Sequence, residues 1–448
     1  MTTPPVTRST HPSASRSSRL GERLRQLRVS RNLTQSELAG ERFSKEYVSQ
    51  IERGKTRPTQ ETIEWLAARL GTDPSFLATG VSTDERARVE AALSRAEARS
   101  EDRDFAGALE EFEQAGAAVR ASGSSELEVR QLSGEAWAKL QLGDPRAALE
   151  TFERVRSLVE GAGFTDLDRA DVLFRLGTCR YNLSSIATAV SLLDESLKLA
   201  ESSGLPCDLL RARILTTRSR CRRRQRDWEA AREDVERALE LAEGLNDKRG
   251  LAHINLQASM IAERNGQWVL ARNYAERARL LFEDLSDRRE VGWMLNNLGA
   301  LQFLLGKPDD AVKYLTDAFG VALDLGEDVE AGRVVVSLAQ VNLRTGKPAL
   351  AEEQALKALG LLADREDVLE DRGNAQLVLG RALLDQGRLD ESDAALTDAE
   401  ATLNQLSSAS HNAAAWVAKG DLAQARGDDA NAARLYRQAA EALQDFRF

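Results

Sequence analysis

The sequence predicts an all-α protein in which a small helical domain precedes a long array of paired helices. Two observations lead to this prediction. Residues 33–58 contain two short helix patterns separated by a tight turn. From about residue 84 onward, small residues recur at intervals of 40 to 42 positions, which is typical of helix pairs that pack closely and repeatedly.

The first helix pattern opens with a capping signal. Thr34 is a favourable N-cap residue, and Gln35 then occupies the first helical position. Leu38 and Ala39 supply the buried face of this helix. The short GERF segment at residues 40–43 is expected to make the turn.

A second helix pattern follows the turn. Ser44 caps a helix over residues 45–53, Val48 and Ile51 face inward, and Gly54 ends the helix. This helix is short, polar on one side and presented at its N-terminal end. A helix that enters the major groove of DNA needs this form, because only its first turns reach the base edges. The two patterns therefore predict a DNA-binding helix-turn-helix, against the alternative of a domain that serves only for packing.

The stretch resembles the phage-repressor or Xre family of helix-turn-helix domains. The matching residues are LTQSELA at 33–39, the run from serine to lysine at 44–55, and the flanking helices at 19–30 and 59–71. The resemblance implies a five-helix DNA-binding domain at residues 19–78. The turn is one residue shorter than in the common family form, so the angle between the two helices is expected to differ.

The recognition helix carries the residues that we expect to face DNA bases. Lys45, Glu46, Ser49 and Gln50 lie on its outward side. Gln50 can pair with the edge of adenine, and Lys45 can pair with O6 and N7 of guanine. Glu46 either accepts a hydrogen bond from cytosine or repels the wrong bases. The complete set of candidate DNA contacts is Thr34, Gln35, Ser44, Lys45, Glu46, Tyr47, Ser49, Gln50, Lys55, Thr56 and Arg57.

The remaining candidates are expected to position the domain on the DNA backbone. Thr34 and Gln35 place a helix N-terminus where it can bind a phosphate. Lys55, Thr56 and Arg57 follow the recognition helix directly, and we expect them to contact the sugar–phosphate backbone.

Two residues of the recognition helix have other possible roles. Tyr47 either contacts a phosphate or packs against the domain, and the sequence leaves both roles open. Glu52 is expected to form a structural ion pair with Arg25 or Arg28, in preference to touching DNA.

The rest of the chain repeats itself nine times. The repeats align on Phe105, Pro145, Ile186, Trp228, Trp268, Pro308, Pro348, Leu389 and Asp429. Nine positions before each anchor lies a small residue, namely Ala96, Ala136, Gly177, Ser219, Ser259, Gly299, Ala339, Gly380 or Gly420. Three positions after each anchor lies Ala108, Ala148, Ala189, Ala231, Ala271, Ala311, Ala351, Ser392 or Ala432. Small residues are needed where two helices cross closely, and the turn between them often contains glycine.

These small-residue offsets resemble those of tetratricopeptide repeats, although the usual period is about 34 residues. The resemblance implies an α-solenoid of about nine helix pairs at residues 85–448, joined by a linker at 79–84 to the N-terminal domain. Stacked repeats of this kind present an inner surface, lined by first helices, that binds peptides, proteins or small ligands. Residues 1–18 are rich in Ser, Thr and Pro, and we interpret them as a disordered tail.

Charge is unevenly distributed along the 448 residues. The net charge of −10 argues by itself against a nucleic-acid partner. However, residues 1–80 hold 13 Lys and Arg against 8 Asp and Glu, whereas the remainder holds 48 against 63. The basic part coincides with the helix-turn-helix, as expected for a DNA-binding head on an acidic body.

Enzymatic, metal-binding and membrane functions find no support in the sequence. The three histidines (His11, His253, His411) and three cysteines (Cys179, Cys207, Cys221) show no metal-ligand or catalytic spacing, and there is no glycine-rich phosphate loop. No run of about 18 apolar residues and no secretory signal is present. We therefore expect no catalytic residues, no metal, no cofactor and no membrane partner, in a cytoplasmic protein.

The densest charge cluster of the body is RARILTTRSRCRRRQR at residues 211–226, on the first helix of the fourth repeat. Counted from Ser219, the residues expected to face the inner surface are Arg213, Arg220, Arg223 and Arg224. Such a basic strip suggests capture of an anionic group, for example a peptide carboxylate or a phosphate. The alternative is a solvated face that pairs with Asp and Glu of neighbouring repeats.

Asn296 and Asn297 on the first helix of the sixth repeat are similarly placed. In peptide-sensing regulators that resemble this architecture, such asparagines hold the peptide backbone; the alternative is an asparagine ladder within the groove wall. Trp293 and Phe303 on the same helix are candidates for an apolar pocket. Trp228 and Trp268 occupy the repeat anchor, so we expect both of them to be packing residues.

Together these features indicate a sequence-specific transcriptional regulator of bacterial type. It would bind a double-stranded DNA operator as a homodimer, since one head contacts only a few base pairs, and its repeats would sense a peptide or small ligand. One alternative is a protein-interaction scaffold whose head only localises it on DNA. In another, the repeats serve as a dimerisation frame without any ligand.

Overall fold

Helices form the regular structure throughout the described part of the chain. The computed structural model describes residues 16–80, 82–362, 366–406 and 412–444, and within these ranges it contains 23 α-helices, one short 3₁₀ helix and no β-strand. The all-α fold class is therefore confirmed. The described helices fall into two units: unit 1 ends at Leu205 and unit 2 begins at Pro206.

Five helices form the N-terminal domain, as the sequence predicts. They are α1 (Arg16–Ser30), α2 (Gln35–Ala39), α3 (Lys45–Glu52), α4 (Gln60–Leu70) and α5 (Pro74–Thr79). Their shared core consists of Leu20, Leu24, Leu38, Ala39, Val48, Ile51, Ile63, Leu66, Ala67, Leu70 and Leu77. Helix α1 begins at Arg16 and so includes three residues that the sequence analysis assigned to the tail. The rest of that proposed tail, residues 1–15, lies outside the described residues.

The caps that the sequence indicates are formed. The Thr34 hydroxyl accepts a hydrogen bond from the backbone N–H of Glu37 at 3.1 Å, and the Glu37 carboxylate accepts one from the N–H of Thr34 at 2.6 Å. The Ser44 hydroxyl accepts a hydrogen bond from the N–H of Tyr47 at 3.1 Å. Gly54 follows α3 with a φ of +69°. These contacts satisfy backbone groups that a helix end leaves unpaired, and they fix where α2 and α3 begin.

Eighteen helices form nine successive pairs over the described residues after the N-terminal domain. Unit 1 contains α6 (Thr83–Glu101) with α7 (Phe105–Ser122), α8 (Ser125–Gln141) with α9 (Pro145–Val159), and α10 (Asp166–Asn182) with α11 (Ile186–Ser202). Unit 2 contains α12 (Asp208–Arg224) with α13 (Trp228–Ala242), α14 (Lys248–Arg264) with α15 (Trp268–Asp284), α16 (Arg288–Leu304) with α17 (Pro308–Asp324), α18 (Asp328–Arg344) with α19 (Pro348–Leu362), α20 (Leu369–Asp385) with α21 (Leu389–Leu403), and α22 (Ala413–Ala425) with α23 (Asp429–Gln444). Each of the nine alignment anchors is the first residue of the second helix in its pair, so the prediction of nine pairs is confirmed.

The small residues of the repeat allow the two helices of a pair to approach closely. A Cβ atom added at Gly299 of α16 would lie 2.6 Å from Cγ of Leu315 on α17, which no real packing permits. In the fourth pair a serine takes this position, and the Ser219 hydroxyl donates to the carbonyl oxygen of Ala231 at 2.9 Å. The recurrence of small residues thus reflects backbone proximity, as the sequence analysis expects.

The turn between the two helices of each pair has one residue with positive φ, two positions before the anchor. In six pairs this residue is glycine, at positions 143, 266, 306, 346, 387 and 427. The other three pairs place Arg103, Ser184 and Arg226 there, with φ between +59° and +65°. Glycine adopts this conformation without strain, whereas arginine and serine are strained in it.

The core of each unit is a series of apolar clusters that join neighbouring helix pairs. In unit 1, one cluster runs from Val89 to Leu127 across α6, α7 and α8. In unit 2, a similar cluster runs from Val335 to Val378 across α18, α19 and α20. A single pair leaves one apolar face uncovered, so the next pair is needed to bury it.

Two matched glycine substitutions in the sixth pair are expected to have opposite effects. Gly299→Ala forces a methyl group against Leu315 and should lower the free energy of unfolding by about 1–3 kcal/mol. Gly320→Ala, on the exposed face of α17 with no atom within 4 Å of its new Cβ, should raise it by about 0.5–1 kcal/mol. Urea unfolding of the full chain measures both changes. Equal effects of the two substitutions would contradict the close-packing argument.

Candidate DNA interface and ligand groove

The recognition helix α3 presents one polar face to solvent. Val48 and Ile51 are fully buried in the core of the domain. Lys45, Glu46 and Gln50 are exposed, and the Ser49 candidate beside them is half-buried. The residues expected to read bases therefore share the outward side of α3, and the buried side holds the helix on the domain.

A hydrogen bond orients the Gln50 side chain. The Thr56 hydroxyl donates to Oε1 of Gln50 at 3.0 Å, so Thr56, which was expected to contact the DNA backbone, binds a candidate base-reading residue. A bidentate contact with adenine needs Oε1 of glutamine as an acceptor and Nε2 as a donor. The amide oxygen has two lone pairs, so Oε1 can accept from Thr56 and from a base at the same time, and the hydroxyl fixes the direction in which the amide faces. The contact of Gln50 with adenine stays a prediction.

A second network ties three helices of the domain together. Nε of Arg28 donates to Glu52 at 2.6 Å, which confirms the expected ion pair and selects Arg28 from the two candidates. Nε2 of Gln35 donates to the same carboxylate at 2.8 Å. Hydrogen bonding to Glu52 raises the pKa of Arg28 above its usual value. The Glu52 carboxylate thus joins α1, α2 and α3. Gln35, the first residue of α2, contributes one of the hydrogen bonds at this junction.

Tyr47 packs against its own domain. Its ring lies 5.3 Å from the ring of Phe43, which in turn meets Trp65 edge-on at 5.1 Å. Lys55 and Arg57 are exposed after α3, as is Arg53, which the sequence analysis did not include among the candidates. Arg53 lies at the C-cap of the recognition helix, and this position could have identified it from the sequence.

Several arginines of the basic cluster on α12 are paired with acids. Arg213 is half-exposed, and its Nη2 lies 3.1 Å from Oδ2 of Asp247, which caps the next first helix. An ion pair of this kind agrees with the alternative for the cluster, in which a solvated basic face pairs with Asp and Glu of neighbouring repeats. Arg220 and Arg224 follow Arg213 by 7 and 11 residues and so share its face of α12. Arg223 lies beside that face and is half-buried.

A buried ion pair lies beneath this cluster. The Arg218 guanidinium makes two hydrogen bonds to Asp234 of α13, at 2.6 and 3.0 Å, and Arg222 lies 3.3 Å from the same carboxylate. Sequence reasoning missed Asp234. The repeat alignment holds a signal for this pair, since Arg218 lies ten positions before the anchor and Asp234 lies six positions after it. Arg95 and Glu111 occupy the same two positions in the first pair and lie 3.6 Å apart.

Ion pairs also connect successive first helices of unit 2. Arg249 on α14 reaches Asp287 before α16 at 2.5 Å, and Arg333 on α18 reaches Asp371 on α20 at 2.9 Å. Arg289 on α16 pairs in the same way with Glu327. In each of these pairs, the acid follows the arginine by 38 residues, close to one repeat period.

Asn296 lies in a cleft between α16, α17 and α18. The cleft is partly open to solvent, has room for about one water molecule, and includes Trp293 at its wall. Asn297 is half-buried and Phe303 stacks under the guanidinium of Arg344 at 5.1 Å; neither residue lines the cleft. Of the two aromatic residues expected to form an apolar pocket, the structure therefore brings only Trp293 to the site.

The tryptophans at the repeat anchors differ from one another. Trp228 is half-buried, and the Arg264 guanidinium lies 5.4 Å from its ring. Trp268 is 40 % exposed, so the expectation that it is a packing residue was wrong. The anchor is the first residue of a helix, where the side chain can project past the neighbouring helices.

The histidines and cysteines remain scattered over the described helices. His253 packs edge-on against Phe282, while His11 and His411 lie outside the described residues. Cys179, Cys207 and Cys221 form no disulfide, and burial raises the pKa of the Cys179 thiol to about 12. Over the ranges that the structure describes, no group of three His, Cys, Asp or Glu side chains is arranged to hold a metal, and no helix is long and apolar enough to cross a bilayer.

Comparison with known families agrees with this geometry. Residues 19–80 match the helix-turn-helix domain family, and residues 168–244 and 250–324 match the tetratricopeptide-repeat family. The chain joins a helix-turn-helix domain to tetratricopeptide repeats. Over 64 residues it is 42 % identical to the HTH-type transcriptional regulator DdrOP3 of Deinococcus deserti. That match covers 14 % of this chain and half the length of the relative.

Solved structures share the fold at low sequence identity. The apo form of RapI superposes with a TM-score of 0.63 at 11 % identity, covering 80 % of this chain and 98 % of that one. The apo form of the quorum sensor NprR from B. thuringiensis gives 0.62 at 13 % identity, covering 80 % and 99 %. These likenesses establish the helical-repeat fold.

Loss of the Glu52 carboxylate is expected to loosen the N-terminal domain. The side chains of Arg28 and Glu52 are 13 % and 4 % exposed, so Glu52→Ala leaves a largely buried guanidinium with the Leu33 carbonyl oxygen as its remaining acceptor. The local free energy of unfolding should fall by about 1–3 kcal/mol. Hydrogen–deuterium exchange of peptides from α1 and α3 measures this change. Glu41→Ala, which removes an exposed carboxylate, is the control, and equal protection in both variants would refute the structural role of Glu52.

Removal of the Thr56 hydroxyl is expected to weaken the base preference of Gln50. In Thr56→Val the Gln50 amide can rotate, so the preference at the base contacted by Gln50 should shift toward equal use of all bases by about 1 kcal/mol. Selection of binding sites from randomised DNA with the wild type, Thr56→Val and Gln50→Ala measures this shift. The position to examine is the one whose preference disappears in Gln50→Ala. An unchanged preference in Thr56→Val would show that the hydroxyl does not set it.

Proposed function

We propose that this protein is a cytoplasmic, sequence-specific transcriptional regulator that binds a double-stranded DNA operator through α3. The observation that carries the proposal is the exposed polar face of a doubly capped α3 within a matched helix-turn-helix domain. The excess of basic residues in positions 1–80 adds electrostatic attraction for DNA phosphates. The 42 % identity to a transcriptional regulator over 64 residues supports the same function.

The regulator would act as a homodimer. One recognition helix reads only a few base pairs, and two heads on two half-sites supply the affinity and specificity that an operator needs. The repeats are the part of the chain large enough to form the dimer contact. A ligand bound to the repeats would then bias the spacing of the two heads toward or away from the operator.

The ligand groove of this proposal lies on the first helices of unit 2. Its candidate residues are Arg213, Arg220, Arg223, Arg224, Asn296 and Asn297, and a peptide is the proposed ligand class. Arginine and asparagine side chains together can bind a carboxylate and both sides of a peptide bond. The fold shared with a protein named as a quorum sensor supports signal sensing by this chain.

A protein-interaction scaffold is the second candidate function. Trp268, Val269 and Leu270 are three consecutive exposed apolar residues at the start of α15, with exposures of 40 %, 55 % and 40 %. Such a run favours contact with another protein. In this alternative the repeats recruit a partner, and the helix-turn-helix domain localises it on DNA.

Fluorescence anisotropy on DNA selected from a randomised pool tests the proposed function. Lys45→Ala and Gln50→Ala should each weaken binding of the full chain to the selected DNA by about 1–3 kcal/mol. Lys313→Ala removes the same charge from an exposed position of α17 and should leave affinity unchanged. Affinity should fall as salt rises, because bound counterions are released from the phosphates.

The same experiment separates the two candidate functions. Binding that is equal on all DNA sequences and indifferent to Lys45 and Gln50 would reject the sequence-specific regulator. Co-purification of a large partner that depends on Trp268 would then support the scaffold.

A further inference from the structure

Exposed aliphatic side chains concentrate on three neighbouring second helices of unit 2. The solvent-facing sides of α15, α17 and α19, which we call the apolar face, carry six large aliphatic side chains that are between 40 % and 55 % exposed: Val269, Leu270, Leu280, Leu323, Leu350 and Leu356. The second helices on either side, α13 and α21, expose charged side chains and no large aliphatic one among their described residues. An apolar centre with polar borders is typical of a surface that another protein covers.

Two glycines in the apolar face have no packing role within the chain. They are Gly320 of α17 and Gly360 of α19, and both are exposed. At every other described glycine inside a helix, an added Cβ would lie within 4 Å of a neighbouring atom, whereas at these two it would meet nothing. A glycine inside a helix lowers stability relative to alanine, and close approach of a second backbone is one use that justifies it. Both glycines thus favour contact with a second molecule.

Gly320 and Gly360 share their repeat position with Leu280. Each of the three lies twelve residues after its repeat anchor. Equal offsets place residues at equal heights on successive second helices, because each pair repeats the register of the one before. At this height the apolar face has a protruding leucine on α15 and glycines on α17 and α19. Leu270 and Leu350 match in the same way, two residues after their anchors.

This arrangement is complementary to itself. Because α15 and α19 flank α17, a two-fold axis that runs along α17 in the plane of the contact lays α15 of one copy on α19 of the other. Leu280 then faces Gly360 of the partner subunit, where no side chain fills the space. Leu270 faces Leu350 of the partner subunit, and Leu323 meets its own counterpart at the axis. The same surface therefore supplies both sides of one contact.

Charges on the apolar face also match under this symmetry. Nine residues after their anchors lie Arg277, Asp317 and Lys357, and all three are exposed. The axis brings the two Asp317 carboxylates among two Arg277 and two Lys357 side chains. Each acid then lies between basic groups of both copies, and such complementarity favours one arrangement of the partners over others.

The apolar face has the area that a stable dimer needs. Its three helices contain 15 to 17 residues. Helices of this length are about 25 Å long, and three of them packed roughly 10 Å apart cover about 700 Å². A typical stable interface buries about 800 Å² on each partner. The whole face is therefore sufficient for a contact between two copies.

We propose that the apolar face is the surface through which a second copy of this chain binds. The two copies pack face to face about an axis along α17, and Leu280 of each copy occupies the space above Gly360 of the other. This inference rests on the proposed homodimer and assigns its contact to the second helices of the fifth, sixth and seventh pairs. The contact leaves the first helices open to a ligand.

Sedimentation velocity of the full-length chain tests the contact. The wild type should sediment with the mass of two chains. Leu280→Arg should raise the dissociation constant of the dimer by about tenfold or more, because it places an unpaired charge in an apolar contact. Leu443→Arg, which changes a leucine of similar exposure (56 %) on α23, is the matched control and should leave the dissociation constant unchanged.

Gly360→Leu is the decisive variant. It replaces an exposed helix glycine, so the single chain should have an equal or higher thermal midpoint. Its new side chain fills the space that receives Leu280 of the partner subunit, so the dissociation constant of the dimer should rise by about tenfold or more. Circular dichroism at concentrations below the dissociation constant measures the midpoint.

Gly320→Cys tests the position of the axis directly. Gly320 would face its own counterpart, so the two introduced thiols should form a disulfide between the copies under mild oxidation. Glu441→Cys, at the same offset on α23 and also exposed, is the control and should form none. Non-reducing electrophoresis measures the covalent dimer, and the wild type gives the background from the three native cysteines.

The outcomes separate this inference from the proposed function. A wild type with the mass of one chain, including one that holds a different protein on this face, would overturn the contact. A dimer that resists both Leu280→Arg and Gly360→Leu would also overturn it, because the copies would then meet elsewhere. Binding of selected DNA is measured on the same preparations. Sequence-specific DNA binding together with either result would reject only the contact, whereas a dimer weakened by both variants without such binding would reject only the regulator.

Discussion

Close approach of the two helices within each pair is the constraint on which the rest of the structure depends. At Gly299 even one added carbon would overlap Leu315, so the two backbones are held in a fixed register. Because the register repeats about every 40 residues, outward positions on one first helix recur on the next. The surface that carries Arg213, Trp293 and Asn296 is thus a product of packing. Its chemistry can vary from pair to pair while the frame remains constant.

The N-terminal domain shows which features local sequence can predict. Thr34, Ser44 and Gly54 act on backbone groups within three residues of themselves, so their roles follow from the sequence directly. The contacts of Gln35 with Glu52 and of Thr56 with Gln50 depend on how separate segments meet. No local sequence pattern predicts these contacts. The orientation of the Gln50 side chain could therefore be determined only from the structure.

The period of about 40 residues was sufficient to predict the helix pairs of the repeats, but most contacts between their side chains could not be predicted from it. The burial of Asp234 against Arg218 depends on the register between two helices, which became visible only once the pairs were aligned in space. Trp268 was misjudged for a related reason. The anchor position also holds Pro308 and Asp429, so it marks the start of a helix and does not require a buried side chain.

Three turns have a residue other than glycine with positive φ, which implies that local stability varies along the repeats. Arg103, Ser184 and Arg226 each hold a conformation that costs a residue other than glycine about 1–3 kcal/mol. Ser184 and Arg226 belong to the third and fourth pairs, the last of unit 1 and the first of unit 2. Strain of this size lowers the free energy of local opening, so fluctuations that expose backbone amides concentrate in the turns of the first, third and fourth pairs.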